Sequence, residues 1–405
     1  MIGEPELTLT DIEQAYAALS GVAHITPLDR STTFSNLAGC DIYLKLENMQ
    51  KTGSFKIRGA YNKVRLLTAG EREKGVIAAS AGNHAQGVAF AARSAGIKAT
   101  IVMPEVAPLA KVVATRGYGA EVLLKGLGYD DAYEKAVEVQ QSSGQTFVHA
   151  FDDYAVIAGQ GTVGLEIIRQ LSDVDCIVVP IGGGGLIAGI AVAVKSLCPR
   201  VKVYGVQAKG AAAVYISKQE HHIQGITDAV TMADGIAVKL PGEKSFGIID
   251  KYVDDIFVVD DDTTAATILM LLERAKLMVE GAGAVSLAAV ISGSIPTKGK
   301  VVSVISGGNI DVNIISRLIE RGLVESGRRV KITTTIFDRP GELQKLLALI
   351  ASARGNLNTV YHDRVEHQVP IGQTVVEISL ETRDAMHTEE ILSVLRKEGY
   401  HVDVI

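Results

Sequence analysis

Lys56 lies in the segment NMQKTGSFKIRGA, residues 48–60, which is rich in glycine and in side-chain amides. Most lysines are solvated surface charges, so the segment alone favours a surface position. Burial would lower the pKa of a lysine, and its neutral amine could then act as a nucleophile or as a base. Whether Lys56 does chemistry therefore depends on the groups that the fold brings to it.

A glycine-rich turn follows the apolar run CIVVPI and precedes the helical segment LIAGIAVAVKSL. Backbone amides at the start of a helix can surround a phosphate, and the helix dipole adds to the attraction. Four consecutive glycines cost conformational entropy, which favours an anion site over a merely tight turn. The predicted phosphate-binding residues are Gly182, Gly183, Gly184, Gly185 and Leu186.

The same turn partly fits a dinucleotide pattern. Gly183, Gly185 and Ala188 match G-x-G-x-x-A. Such a site also needs an acid at the end of the next strand to hold the ribose, and Gln207 stands there instead. The sequence therefore disfavours NAD.

Two further turns carry polar groups at the ends of predicted strands. SAGNH, residues 80–84, follows GVIAAS and opens a helix, so its amides could bind a small carboxylate, or Ser80 could simply cap the helix. SGGN, residues 306–309, follows KVVSVIS, where a ligand-binding serine and an ordinary turn are about equally expected. Together with Lys56 and the phosphate cradle, these turns match what pyridoxal phosphate needs: an amine, an anchored phosphate and a partner for its pyridine nitrogen.

Apolar runs alternate with helical segments between residues 40 and 320. The runs lack two-residue alternation, as expected of strands that are covered on both faces in a parallel sheet. They occupy residues 75–80, 98–104, 176–181, 202–207 and 300–306. The repetition predicts an α/β fold of two doubly wound parallel-sheet subdomains over residues 1–320, the smaller at about 50–150.

The pattern changes after the charged stretch SRLIERGLVESGRRV, residues 316–330. We interpret residues 321–329 as a linker. Residues 330–405 are predicted to form a strand, a helix, two strands, a helix and a strand, and this βαββαβ order is ferredoxin-like. We expect this separate domain to bind a ligand, because it holds no grouping of catalytic residue types.

Composition excludes several classes of protein. The formal charge is −6 and no lysine or arginine block is present, so we expect no nucleic-acid partner. Cys40, Cys176 and Cys198 form no CxxC pair, and the first residues lack a signal-peptide pattern, which predicts a cytoplasmic protein. The uncharged stretch 176–194 imitates a membrane span, but a proline and five glycines divide it, so we expect a buried strand and helix and no membrane association.

The segments KTGSFKIRGA, SAGNHAQGVA, GGGGL and SGGN, in this order and spacing, resemble the threonine/serine dehydratase family. The resemblance covers roughly residues 10–320 and implies a pyridoxal-phosphate enzyme of the tryptophan-synthase-β-like fold, fold type II. The tail, with DRPGELQKLL and GNLNTVYHDR, resembles a single ACT domain, the amino-acid-sensing module of allosteric enzymes. The combination is similar to the medium-length threonine dehydratases.

The resemblance implies a role for each site residue. It makes Lys56 the catalytic lysine that binds the cofactor covalently, and it packs Phe55 on one face of the cofactor ring. It implies that Asn83 hydrogen-bonds the cofactor's 3-hydroxyl and that Ser306 faces the pyridine nitrogen. The substrate-binding residues that it implies are Ser80, Ala81, Gly82, His84 and, less firmly matched, Gly235.

The implied reaction converts L-threonine to 2-oxobutanoate and ammonia, with L-serine as a secondary substrate. Serine racemases of the family carry a serine at the place of Ala81, and alanine cannot move a proton on the opposite face of the substrate. Metal-activated relatives use acids in the segment GVQAKGAAA, where this chain has Gln207, Ala211 and Ala213, so we expect no metal site there. The alternatives are a serine racemase, a 3-hydroxyaspartate dehydratase and a non-catalytic amino-acid sensor.

The ACT-like tail implies an amino-acid effector, expected to be branched-chain, at an interface of paired domains, and hence a homodimer or homotetramer. The effector-binding residues that it implies are Asp338, Gly341, Asn356 and Leu357. A dimerisation module that senses nothing is the alternative. Two residues outside the motifs stay open: Glu280 could brace the cofactor or complement a helix dipole, and His149 is expected in a turn or in solvent.

Overall fold

The computed structural model describes residues 7–364 and 369–405 and separates into two compact units, Met1–Ile310 and Asp311–Ile405. The boundary precedes the one expected at residue 320, because a helix, Val312–Glu325, continues into the segment interpreted as a linker. Asp311 caps this helix by accepting from the backbone N–H of Asn313. Apolar residues recur along it at a helical spacing, and this pattern explains why the charged stretch is not a loop.

The strands of the first unit form two sheets. In chain order they are β1 Leu28–Arg30, β2 Asp41–Leu46, β3 Val76–Ala79, β4 Ala99–Met103, β5 Glu121–Leu124, β6 Thr146–Phe147, β7 Cys176–Pro180, β8 Lys202–Ala208, β9 Asp255–Val259 and β10 Lys300–Ile305. The large sheet has the order β1-β2-β10-β7-β8-β9, and the small sheet has the order β5-β4-β3-β6. All neighbouring strands in them are parallel except β1 and β2.

Helices cover these sheets. In chain order they are α1 Leu9–Ala18, α2 Thr32–Ala38, α3 Lys56–Arg65, α4 Ala69–Lys74, α5 Asn83–Ala95, α6 Leu109–Gly117, α7 Tyr129–Ser143, α8 Tyr154–Gln170, α9 Gly185–Leu197, α10 Ala213–Glu220, α11 Glu243–Tyr252, α12 Asp261–Met270 and α13 Gly281–Ile291. Every residue of β3, β4 and β7 is buried, as expected of strands between two helical layers. The predicted pair of doubly wound parallel sheets is confirmed.

Close helix packing positions the start of α3, where Lys56 lies. A Cβ on Gly159 of α8 would come within 2.4 Å of the carbonyl oxygen of Arg58. A Cβ on Gly189 of α9 would lie 2.3 Å from the carbonyl oxygen of Ile157. The glycines therefore let α3, α8 and α9 approach backbone to backbone, and larger side chains would push the three helices apart.

The apolar stretch 176–194 forms β7, a turn and most of α9, as the sequence predicts. Its helical residues Leu186 to Val194 are buried in the core of the first unit. Among the residues that the structure describes, no helix combines the length and the apolar character needed to cross a membrane.

The second unit has the predicted βαββαβ order after its first helix. Its elements are α14 Val312–Glu325, β11 Arg329–Phe337, α15 Glu342–Ser352, β12 Asn356–Asp363, β13 Gln373–Glu381, α16 Ala385–Lys397 and β14 Val402–Val404. The antiparallel sheet has the order β12-β13-β11-β14, and the strands β11 and β13 alternate buried and outward residues. The ferredoxin-like unit is confirmed, and its core lies between the sheet and one helical face.

Candidate active site

Lys56 is the first residue of α3, and its side chain is half-buried. Its Nζ donates to the carbonyl oxygen of Ala150 at 2.9 Å. Burial lowers the pKa of Lys56 to about 8, although the carboxyl group of Glu280 acts in the opposite direction. An amine with this pKa is neutral in part of the population near neutral pH, as a base or nucleophile must be.

The residues before Lys56 run along the end of β10. Ser54 forms a bridge with Gly307, and the N–H of Phe55 donates to the carbonyl oxygen of Ser306 at 3.2 Å. The ring of Phe55 lies beside the lysine, with its centroid 5.2 Å from Nζ. The fold thus brings Ser306 to Lys56, although 250 residues separate them in the sequence, from 56 to 306.

Ser306 itself is buried at the end of β10. Its hydroxyl donates to the carbonyl oxygen of Ala282 across 3.3 Å, a long hydrogen bond that a stronger acceptor could replace. The neighbouring glycine, Gly307, leaves room for a carboxyl group, because a Cβ there would lie 2.2 Å from Oε1 of Glu280.

The glycine-rich turn opens α9, and Gly184 is its N-cap with a φ of 98°, in the left-handed region. Steric reasons for these glycines are present as well: a Cβ on Gly183 would lie 2.4 Å from the ring of Phe151, and one on Gly184 would lie 2.6 Å from Ile249. Ser245 holds the carbonyl oxygen of Gly183 at 2.7 Å. The amides that precede the first intrahelical bond, from Ala188 to Gly184, have no acceptor within the helix and can bind an anion.

The SAGNH turn connects β3 to α5. The hydroxyl of Ser80 accepts from the N–H of Gly82 at 3.1 Å, so it closes the turn rather than capping α5. A Cβ on Gly82 would meet no atom within 4 Å, which leaves open space over the turn beside Ala81. This arrangement can place amides around a small anion.

The ring of His84 is buried against the protein backbone, so it is not available to bind a ligand. Its Nε2 lies 2.7 Å from the carbonyl oxygen of Val148, and only 3% of the residue is exposed. Burial, with a further contribution from the Lys56 charge, lowers the pKa of His84 to about 3. The neutral ring therefore donates from Nε2 and ties the turn to the end of β6, leaving its backbone as the part that could contact a substrate.

Glu280 lies among these residues. Its position agrees in part with each of the two predictions, a brace for the cofactor and a charge at the start of a helix. It is the N-cap residue of α13, yet its Oε1 accepts from Nδ2 of Asn83 at 2.6 Å. Burial, followed by the charge of Asp234, raises the pKa of Glu280 to about 7. A Cβ on Gly235 would lie 3.8 Å from the same oxygen, so Gly235 borders the site.

Sequence reasoning missed the segment from His149 to Asp152. His149 lies in a turn, as expected, and its Nδ1 accepts from the backbone N–H of Asp152 at 2.8 Å. The turn presents the carbonyl oxygen of Ala150 to Lys56 and the ring of Phe151 to the glycines of α9. Because the contacts use a backbone carbonyl and the packing of one ring, no residue pattern could have predicted them.

The expected effector-binding residues lie in the second unit at two opposite ends of its sheet. Asp338 follows β11 and pairs with Arg364 at 3.2 Å, and Gly341 caps α15 with a φ of 93°. Asn356 and Leu357 begin β12, and the register places Asn356 opposite Glu381 at the other end. The fold of one chain therefore does not bring these four residues together.

The groups around Lys56 fit pyridoxal phosphate. The turn before α9 offers unpaired amides to a phosphate, Asn83 offers an amide, and Lys56 offers an amine with a lowered pKa. Ser306, which directly follows β10, offers an uncharged hydroxyl group. Among the described residues no group of three or more histidine, cysteine, aspartate or glutamate side chains could hold a metal ion.

Known proteins resemble most of the chain, and one relative covers almost all of it. A family profile described as "Pyridoxal-phosphate dependent enzyme" matches residues 19–307. The L-threonine ammonia-lyase of Thermotoga maritima is 52% identical over 400 residues, covering 98% of this chain and 100% of that protein.

Solved structures share the fold of the first unit. The processed form of threonine deaminase isoform 2 from Solanum lycopersicum has a TM-score of 0.74 and 37% identity, covering 79% of this chain and 91% of that one. Maize serine racemase has a TM-score of 0.75 and 34% identity, covering 79% of this chain and 99% of that one. The cofactor and the fold expected from the sequence are both confirmed, and the chain belongs to the family of pyridoxal-phosphate-dependent enzymes.

Proposed function

We propose that the protein is a threonine ammonia-lyase, which converts L-threonine to 2-oxobutanoate and ammonia. The observation that carries the proposal is the 52% identity to an L-threonine ammonia-lyase along almost the entire chain. The geometry supports it, because Asn83 contacts Glu280, Gly307 next to Ser306 lies against both, and the segment Ala150–Phe151 connects Lys56 to the glycine-rich turn.

Lys56 performs the proton transfer in this proposal. When bound, pyridoxal phosphate withdraws electrons from the substrate Cα and so makes its proton acidic. Lys56 would hold the cofactor covalently, and its amine would be free once the substrate amine takes its place on the cofactor. The freed amine removes the Cα proton, for which its pKa of about 8 is well matched to neutral pH.

The remaining residues bind and orient. The amides from Gly182 to Leu186 hold the phosphate at the N-terminus of α9. The turn from Ser80 to His84, including Ala81 and Gly82, surrounds the substrate carboxylate with its backbone, while the His84 ring anchors it to Val148. Asn83 donates to the cofactor's 3-oxygen, Phe55 packs against its ring, and Gly235 leaves space near the substrate hydroxyl.

Ser306 faces the pyridine nitrogen in this proposal. A hydroxyl cannot protonate that nitrogen, so the ring stays neutral and withdraws electrons less strongly than a protonated ring. A weaker withdrawal of electrons would favour loss of the β-hydroxyl directly after removal of the Cα proton. This choice suits elimination from threonine and, secondarily, from serine.

Racemisation is the second candidate, favoured by the similarity to maize serine racemase. It needs a base on the face of the substrate opposite Lys56. Ala81 offers no ionisable group at the place where the racemases of the family carry a serine. We therefore expect L-serine to yield 2-oxo acid without a matching amount of D-serine.

The test is an assay of purified protein with L-threonine and L-serine, following 2-oxo acid, ammonia and the chirality of recovered serine. The proposal expects 2-oxobutanoate from threonine, a slower reaction with serine and no D-serine. Absence of 2-oxo acid from threonine, with cofactor bound, would contradict it.

We further propose that the second unit binds a branched-chain amino acid at an interface between two copies of the chain. In one copy, Asp338 and Gly341 are separated from Asn356 and Leu357 by about 25 Å along the strands. A single chain cannot close a site of amino-acid size around both pairs. A homodimer or homotetramer could, if the end of one sheet met the opposite end of its partner.

The edge of that sheet supports the pairing. β12 is an edge strand, and its outward side chains include Tyr361, which is 63% exposed. An exposed edge strand favours pairing with another chain, because its backbone N–H and C=O groups are open on one side. Light scattering should show a dimer or tetramer, and isoleucine or valine should change the threonine kinetics.

A matched pair of variants separates sensing from assembly. Asp338→Ala should abolish the response to the effector, whereas Glu389→Ala, an exposed change on α16, should preserve it. An oligomer that ignores both amino acids would support a dimerisation module without a sensor.

A cytoplasmic location agrees with the cysteines. Cys40, Cys176 and Cys198 are free thiols, as expected in a reducing compartment. Fractionation of the source cells should place the activity there.

A further inference from the structure

A chain of side-chain amides leads from the backbone to the carboxyl group of Glu280. Nδ2 of Asn309 donates to the carbonyl oxygen of Thr52 at 2.8 Å and to Oδ1 of Asn83 at 2.6 Å. Nδ2 of Asn83 then donates to Oε1 of Glu280, also at 2.6 Å. Asn309 is the last residue of the SGGN turn and has no role in the function proposed above.

The direction of every hydrogen bond in this chain is set from one end. The carbonyl of Thr52 can only accept, so the atom of Asn309 that faces it must be the nitrogen. The second N–H of that nitrogen must meet an acceptor, which makes the facing atom of Asn83 its oxygen. The nitrogen of Asn83 is therefore turned to Glu280, and one of its two N–H groups stays available to a ligand.

Two glycines make room for the chain. Gly53 has a φ of 73°, and a Cβ there would lie 2.3 Å from Oδ1 of Asn309. A Cβ on Gly307 would lie 2.2 Å from Glu280 and 3.1 Å from Nδ2 of Asn83. The glycines that flank Ser54 and Ser306 thus keep open the space that these amides occupy.

We propose that Asn309 is a positioning residue that acts through Asn83. It fixes the amide of Asn83 so that an N–H, rather than the carbonyl, is presented to the negatively charged 3-oxygen of pyridoxal phosphate. The inference rests on the proposed function, which assigns Asn83 to that oxygen. A donor stabilises a negative oxygen, whereas a carbonyl oxygen in its place repels it.

Asn309→Asp tests the orientation directly, because a carboxylate can only accept and Asn83 must then turn its nitrogen toward residue 309. The probe is pyridoxal phosphate, whose visible absorbance is followed in the holoenzyme during a pH titration. For Asn309→Asp we expect the midpoint of the absorbance change to rise by about one pH unit. We also expect the cofactor to bind ~10-fold more weakly than in the wild type. Asn309→Ala frees the amide of Asn83 without reversing it, and a smaller, ~3-fold weakening is expected.

Two controls separate positioning from a structural effect. Asn48→Ala removes a neighbouring amide, which donates to the carbonyl oxygen of Met278 at 3.2 Å and not to Asn83, and should leave the titration unchanged. In an Asn83→Ala background, replacement of Asn309 should have no further effect on the midpoint, because no amide remains to be oriented.

The outcomes separate a failure of this inference from a failure of the proposed function. A wild-type protein that shows no pyridoxal phosphate absorbance would contradict the proposed site and the inference with it. If the wild type binds the cofactor and both Asn309 variants titrate with the same midpoint as the wild type, the inference alone is contradicted. An equal effect of Asn309→Ala with and without Asn83 would also overturn it, since Asn309 would then act independently of Asn83.

Discussion

Lys56 and Arg58 lie two residues apart on α3, and the fold gives these two cations opposite environments. Lys56 has a backbone carbonyl as its hydrogen-bond partner, and burial lowers its pKa to about 8. Arg58 is 1% exposed and contacts two carboxylates, Glu47 at 2.8 Å and Glu166 at 2.6 Å. Burial would lower the pKa of Arg58, but the two carboxylates raise it above its ordinary value.

The cluster around Arg58 is balanced in charge. Lys45 completes it by contacting Glu166 at 2.6 Å, so two cations face two anions among the buried residues. Burial acts to raise the pKa of Glu47, yet the Arg58 guanidinium lowers it below its usual range. Burial lowers the pKa of Lys45, although Glu47 and Glu166 act in the opposite direction. The cluster connects α3 to β2 and α8.

The comparison shows that one helix holds a cation with two carboxylate partners and a cation with only a carbonyl partner. A guanidinium held between two carboxylates, as in Arg58, keeps its proton and holds the backbone in place. A cation paired only with a carbonyl can become neutral, and it is available for proton transfer. Glu280, whose pKa is raised to about 7, is the matching incompletely paired group on the acidic side.

Lys56→Ala should give the largest effect and should affect activity alone. We expect kcat/KM for threonine to fall by ~10³-fold or more, because the base and the covalent attachment are lost together. The free energy of unfolding of the apoprotein should change by less than ~1 kcal/mol, since no ion pair is broken. Steady-state kinetics and urea unfolding measure the two quantities. Retained activity would contradict the assignment.

Arg58→Met should reverse that pattern. It leaves Glu47 and Glu166 without their main partner, and we expect the free energy of unfolding to fall by about 3–5 kcal/mol. Urea titration of the apoprotein measures this loss. Arg58→Lys serves as the control and should be intermediate, because it keeps the charge but not the forked geometry. A loss below ~1 kcal/mol would show that the cluster does not secure α3.

Glu280 should make stability depend on pH. Between pH 4.5 and 7 its carboxyl keeps a proton in the folded protein and has lost it in the unfolded chain, so the folded state binds more protons. Stability from this group is thus present at low pH and is lost as the pH rises, by about 3 kcal/mol in total. Urea unfolding of the wild type and of Glu280→Gln, at several pH values, isolates the contribution. Parallel pH profiles would contradict the raised pKa.

Lys135→Ala should give the smallest effect and calibrate the others. Lys135 contacts Glu138 at 2.8 Å on the surface of α7, where water screens the pair. We expect a change of about 0.3 kcal/mol in the free energy of unfolding by the same urea titration. A loss as large as that of Arg58→Met would mean that burial does not distinguish the two kinds of ion pair.

Local signals made part of the fold and of the site predictable. The glycine-rich turn, the SAGNH turn and the long apolar strands each show their character within a short segment, so the parallel sheets could be predicted and Lys56 could be proposed as the cofactor-binding lysine. The strands β1, β2, β5, β6 and β9 are short or contain residues that are not fully buried, so their patterns are weaker and none of the five was identified.

Long-range partners were the part that could not be predicted. Arg58 meets Glu166 across 108 positions, and Asn309 meets Asn83 across 226. Ala150 contributes only a carbonyl oxygen, which every residue type has. Glu280 was ambiguous because an acidic residue suits both the start of a helix and a ligand site, and its contact with Asn83, 197 positions away, could not be predicted.

Identification of the lysine that carries the cofactor tests the central claim most directly. The holoenzyme would be treated with borohydride, which makes the attachment permanent, then digested and analysed by mass spectrometry. The account predicts a pyridoxyl phosphate group on the peptide that contains Lys56, and no modification after Lys56→Ala. Modification of another lysine, such as Lys45 or Lys111, would contradict it.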